Sequence, residues 1–120
     1  MIAFKPDIEK IKVARDHVAT IAAGWPVDEY LVRVVASELI TNAVRHAVTD
    51  EVRVDARSDG CVCVVEVWDG DGTLPVVCRP GPDAVGGRGL MIVGELVTRW
   101  GAVRDDREGG KTVFAEWAVP

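Results

Sequence analysis

The stretch from Asp28 to Ala47 constrains the chain more than any other. Leu31, Val34, Val35, Leu39, Ala43 and Ala47 recur at helical spacing, which predicts a helix from about Asp28 to Ala47 with that stripe buried. Glu38, Asn42 and His46 are each four residues apart, so they lie one above the other along a single face. Glu38 and Asn42 are separated by about 6 Å of helix rise. A carboxylate followed one turn later by an amide can serve a bound metal and a nearby proton together. The alternative is a solvated face of ordinary polar residues. Asn42 and His46 border the apolar stripe, and an asparagine there needs hydrogen-bond partners, one of which could be a ligand.

The flanking segments read as short strands and one further helix. Ile2 to Phe4 is an apolar run stopped by Pro6 and is expected as an edge strand. Asp7 can cap a helix in which Ile8, Ile11, Ala14, Val18, Ile21 and Ala22 repeat at helical spacing. Gly24-Trp25-Pro26 ends it, because Pro26 disfavours helical geometry at Trp25. Glu51 to Arg57 alternates charged with apolar residues, and Ser58-Asp59-Gly60 suits a tight hairpin. In the strand from Cys61 to Asp69, Cys61, Cys63, Val65 and Val67 share a face with Asp69. Asp69 is therefore the acidic end of an inward-facing apolar row. A buried carboxylate needs partners, so Asp69 is either a ligand-holding group or a turn-starting residue ahead of Gly70-Asp71-Gly72.

Thr73 to Gly86 is long and irregular, with Pro75, Pro80, Gly81 and Pro82; such a loop in a small domain is usually functional or mobile. Gly86-Gly87-Arg88-Gly89 leads into Leu90 to Val97, which reads as a helix. Glycines before a helix allow close backbone approach, and the free amides there attract anions. With the charge of Arg88 the functional reading is a phosphate site; the other reading is a plain turn. Trp100 to Val103 and Thr112 to Val119 read as the last two strands, joined by a charged turn with Gly109-Gly110. Gly110-Lys111-Thr112 suggests a P-loop, but the first glycine of that motif would fall on Asp105, and Val113 to Trp117 reads as a strand where a helix is required.

A chain of 120 residues, 48% hydrophobic, suits one compact domain with one core. A net charge of −5 gives no support to binding the nucleic-acid backbone. No apolar run approaches the roughly 18 residues needed to span a bilayer. Lys5, Asp7, Glu9 and Lys10 stand where a signal peptide needs an apolar core. A cytoplasmic protein with no direct nucleic-acid or membrane contact is expected. Cys61, Cys63 and Cys78 form no Cys-x-x-Cys pair, which argues against a disulfide framework and a structural zinc site.

Three segments stand in a fixed order: Glu38-Leu39-Ile40-Thr41-Asn42-Ala43-Val44-Arg45-His46-Ala47, Val67-Trp68-Asp69-Gly70-Asp71-Gly72, and Gly86-Gly87-Arg88-Gly89-Leu90. Together they resemble the GHKL (Bergerat) ATPase superfamily, which includes gyrase and histidine kinases, and within it the small anti-sigma regulatory serine/threonine kinases. Those proteins commonly show Glu-Leu-x-x-Asn-Ala-x-x-His-Ala, Gly-Arg-Gly-Leu and a closing Gly-Lys-Thr-Val strand. The resemblance covers nearly the whole chain. It implies a single α+β domain over residues 1–120, a two-layer sandwich with helices on one face of a mixed, mostly antiparallel sheet.

It also implies ATP bound between the second helix and a lid from Thr73 to Arg88. Asn42 would coordinate Mg2+, and Asp69 would accept a hydrogen bond from the adenine amino group. Gly87, Arg88, Gly89 and Leu90 would line the phosphate path, Thr112 would lie near the adenine, and His46 would touch the nucleotide or fix the helix end. Glu38 would be the general base. The implied function is an anti-sigma factor that binds a sigma factor and phosphorylates an anti-anti-sigma antagonist on serine. The alternative is a regulatory module that sequesters a partner without catalysis, with or without ATP. The sequence departs from the superfamily after Asp69: Asp71 and Thr73 stand where Asp-x-Gly-x-Gly has glycines, which bears on how tightly adenine is held. No histidine-bearing dimerisation segment precedes the motifs, so a sensor histidine kinase is not expected. Val62, Val64 and Trp68 should point away from the helices, and an apolar patch there suggests a partner surface, such as that of a homodimer.

Overall fold

The computed structural model describes residues 1–75 and 88–119. Five strands form one sheet in the order β1-β2-β3-β5-β4: β1 Ile2–Phe4, β2 Val52–Ser58, β3 Val62–Asp69, β4 Arg99–Arg104 and β5 Lys111–Ala118. Every neighbouring pair is antiparallel, in line with the mostly antiparallel sheet expected, and no parallel pair joins the described strands. The short β1 lies at one edge, as its composition suggested. Helices α1 (Lys10–Ile21), α2 (Glu29–His46) and α3 (Arg88–Leu96) complete an α+β sandwich.

Alternation decides which strand residues enter the core. In β3, Cys63, Val65, Val67 and Asp69 are buried; in β5, Lys111, Val113, Ala115 and Trp117 are. Cys61 does not join the inward row. It is exposed in the β2–β3 turn, where the Asp59 carboxylate accepts from the amides of Cys61 and Val62 at 2.9 Å each. Gly60 takes a positive φ of 93° in that turn, which explains the Asp-Gly signature.

Asp28 caps α2 by accepting from the Tyr30 amide at 2.7 Å. The buried face of α2 is Val32, Val35, Ala36, Leu39, Ile40, Ala43 and Val44. Leu31, Val34 and Ala47, expected in the stripe, are only half-buried. The reason is packing: α2 touches α1, α3 and the sheet together, so its covered face is wider than one stripe and turned toward Val32, Ala36 and Ile40. Fully burying a side chain such as Leu39 or Ile40 contributes about 1.5–3 kcal/mol.

Asp7 does not cap α1 directly. It organises the preceding turn, its carboxylate accepting from the Glu9 amide at 3.0 Å and its carbonyl from that of Lys10 at 2.9 Å. A short 3-10 turn, Ala22–Gly24, follows α1 and ends at Trp25, whose ψ of 145° is the extended geometry Pro26 requires. Helix α3 buries Leu90 and Val93, and Trp117 Nε1 donates to the Leu96 carbonyl at 2.9 Å.

The outer face of the sheet is less apolar than the sequence suggested. Val62 and Trp68 are half-exposed and Val64 is buried. Arg57–Glu66, Arg99–Glu116 and Arg53–Glu108 ion pairs lie among them. The Arg53 guanidinium sits 4.2 Å from the Trp68 ring centroid. Charge therefore interrupts the expected apolar patch.

Candidate functional site at the ends of β3 and β5

The antiparallel register puts Asp69 and Lys111 directly opposite each other. Lys111 Nζ donates to Asp69 Oδ1 at 3.0 Å and to the Asp71 carbonyl at 2.9 Å. Asp69 Oδ1 also accepts from the Asp71 amide at 2.8 Å. Asp69 is 1% exposed and Lys111 7%, so neither charge has water as its main partner and each depends on the other. Removing one member of such a pair typically costs about 3–5 kcal/mol, because the other is left buried and uncompensated.

The corner after Asp69 is tied to the segment that leaves α2. The Gly70 amide donates to Thr49 Oγ1 at 2.7 Å, and that hydroxyl donates to the Glu51 carbonyl at 2.8 Å. Asp71 accepts from the amides of Val48 and Thr73 at 2.9 Å each. These bonds, Val48 first, lower the Asp71 carboxyl from 3.8 to about 2. Arg104 Nε reaches the Gly72 carbonyl at 3.0 Å. The β4–β5 turn closes the corner: Trp68 Nε1 donates to the Gly109 carbonyl at 3.1 Å. Gly110, at φ 76°, approaches so closely that a Cβ there would lie 2.0 Å from the Asp69 carbonyl oxygen.

Above this corner, between α2 and the sheet, lies a cavity of about 150 Å³. Helix α2 contributes Leu39, Asn42, Ala43 and His46. The sheet contributes Val67, Asp69, Lys111 and Val113, and the loop Asp71 and Thr73 to Pro75. Ligand sites usually span roughly 300–1,000 Å³, so the described walls enclose a group the size of a base rather than a whole nucleotide. Apolar faces above and below with a carboxylate at the floor suit a flat heterocycle carrying an amino group.

A family model described as the histidine kinase-like ATPase domain matches residues 4–117. The chain belongs to the histidine kinase-like ATPase family. No curated protein matches it. A domain of this family binds ATP, and the cavity bounded by Asn42 and Asp69 is where this ATPase domain offers a base-sized site. Among the described residues no helix is long and apolar enough to cross a membrane.

The ATPase domain brings together some of the residues picked from sequence and separates others. Asn42, His46 and Asp69 line the one cavity, with His46 exposed at its rim. Asn42 makes no side-chain hydrogen bond among the described residues, so its amide oxygen is free to ligate. No three His, Cys, Asp or Glu side chains there converge on a metal position. A magnesium ion at Asn42 would therefore draw its other oxygens from phosphate and water, as that ion commonly does.

Glu38, one turn earlier on α2, lines a separate cleft with Arg15, Tyr30, Arg33, Val34 and Ser37. Thr112, expected near the adenine, does not line this cavity. It pairs with Trp68, and strand alternation carries its side chain to the outer face of the sheet while Lys111 and Val113 face the cavity. Leu90 packs its side chain into the core. Arg88 and Gly89 belong to the first turn of α3 rather than to a loop before it; Gly87 and the rest of 76–87, most of the expected lid, lie outside the described residues.

Lys111 and Asp71 are the residues that sequence reasoning missed. One signal was available for Lys111. It heads the inward row Lys111, Val113, Ala115 and Trp117, the counterpart of the row that Asp69 ends.

Proposed function

We propose that the protein is an ATP-dependent serine/threonine kinase acting as an anti-sigma factor, which binds a sigma factor and phosphorylates an anti-anti-sigma antagonist on serine. The observation that carries the reading is the alignment on α2. Asn42 and His46 face Asp69 across the base-sized cavity, and Glu38 stands one turn away on the same helix. Phosphoryl transfer needs positioning, charge neutralisation and an oriented nucleophile rather than covalent help from the protein. Asp69 accepts from the adenine amino group and fixes the base. Asn42 would hold a magnesium ion, which would supply charge neutralisation for the phosphates. Glu38 takes the proton of the incoming serine hydroxyl, and its cleft, open and apart from the base, leaves room for a protein substrate.

A second reading is favoured by that same separation. Because among the described residues Glu38 lines a cleft apart from the cavity of Asn42 and Asp69, the domain could bind ATP and sequester a partner without transferring phosphate. Incubation with labelled ATP, magnesium and candidate antagonists decides between them. Label on an antagonist serine supports the kinase. A stable complex with an antagonist or a sigma factor and no label on either supports the binding module.

A further inference from the structure

Asp69 and Lys111 are the only charged side chains buried among the described residues. Their hydrogen bonds are incompletely used. An ammonium has three N–H donors and no acceptor; two of those of Lys111 go to Asp69 Oδ1 and the Asp71 carbonyl. Both hydrogen bonds that Asp69 accepts among the described residues fall on Oδ1. Among the described residues, one N–H of Lys111 and the second oxygen of Asp69 therefore remain without a partner, and both residues line the cavity.

Adenine presents the matching pair on one edge: a 6-amino donor next to N1, a ring acceptor. Guanine presents the reverse, an O6 acceptor beside an N1–H donor. Resting on the ATP reading above, we propose that Lys111 reads the base together with Asp69. Its third N–H donates to adenine N1 while Asp69 Oδ2 accepts from the 6-amino group. The pair then sets the preference for adenine over guanine, since guanine would set oxygen against carboxylate and N–H against ammonium. Lys111 is thus a specificity residue as well as the counter-charge of Asp69.

The test is competitive equilibrium binding of ATP, 1-deaza-ATP (N1 replaced by C–H) and GTP to the native chain and to Lys111→Met. A hydrogen bond to a charged donor is worth enough that the native chain should bind 1-deaza-ATP roughly 10- to 100-fold more weakly than ATP. Lys111→Met, its fold checked by circular dichroism, should bind ATP and 1-deaza-ATP alike and lose part of its selectivity against GTP, the part that remains being set by Asp69. Equal affinity of the native chain for ATP and 1-deaza-ATP overturns the proposal and leaves the ATP reading standing. That arm needs no variant, so misfolding of Lys111→Met cannot obscure it. A native chain that binds no ATP removes the ATP reading itself.

Discussion

Gly110 concentrates the strain between fold and site in one position, and Gly110→Ala tests it with a built-in control. Gly109 and Gly110 have nearly the same backbone, φ 74° and 76°. An L-residue in that region costs roughly 1–2 kcal/mol, and at Gly109 that is the whole cost, since a Cβ there meets nothing within 4 Å. At Gly110 the Cβ would sit 2.0 Å from the Asp69 carbonyl oxygen and 2.8 Å from the Gly70 Cα. Both are backbone atoms, so the β3 corner must move. Such overpacking typically adds about 1–3 kcal/mol, for a total of about 2–5 kcal/mol against the 5–15 kcal/mol of a typical domain. Urea denaturation of the two variants should place Gly110→Ala well below Gly109→Ala. Gly110→Ala should also weaken ATP binding, because the displaced backbone carries the Asp69 carboxylate; Gly109→Ala should not. Equal destabilisation of the two would refute the close approach and with it the role of this turn in closing the site.

Other outcomes follow from the same geometry. Glu38→Ala should cut phosphoryl transfer to an antagonist by about 10²–10⁴-fold, the usual contribution of a general base, and leave ATP affinity unchanged; undiminished transfer removes Glu38 from that role. Asn42→Ala should make ATP binding insensitive to magnesium, checked by titration with and without a chelator. Leu39, 1% exposed and also a wall of the cavity, should cost about 2–5 kcal/mol when changed to alanine, read from the urea midpoint. Asp71 titrates lower in the folded chain (about 2) than its ordinary 3.8. Its hydrogen bonds therefore contribute stability that is fully present above the unfolded value and lost as pH falls through about 2. The stability gap between the native chain and Asp71→Ala should be constant near neutrality and shrink as pH drops from about 4 toward 2; a gap independent of pH would contradict this.

What was legible in the sequence is what depends on local periodicity. Alternation from Cys63 to Asp69 put the carboxylate at the inward end of β3, and helical spacing put Asn42 and His46 on the face that borders the cavity. What was not legible depends on long-range register. The pairing of Asp69 with Lys111 joins residues 42 positions apart, and a lysine beside two glycines reads as a solvated turn residue until the β3–β5 register brings it inward. The same register moves Thr112 to the outer face, where motif likeness had put it near the base. The burial of α2 was displaced because Val32, Ala36, Ile40 and Val44 form an apolar row as good as the one chosen, and only contact with three neighbouring elements selects between them. Cys61 fell out of the inward row because the carboxylate of Asp59 holds its amide in the turn.

On the proposed function, the cavity between α2 and the β3–β5 corner takes the base of ATP. Equilibrium dialysis of the native chain against labelled ATP with magnesium tests it most directly, with GTP and a base-free triphosphate as competitors. One saturable site per chain is expected, displaced by unlabelled ATP but poorly by GTP or the base-free triphosphate. No saturable binding at millimolar ATP, or displacement by the base-free triphosphate as readily as by ATP, would contradict it.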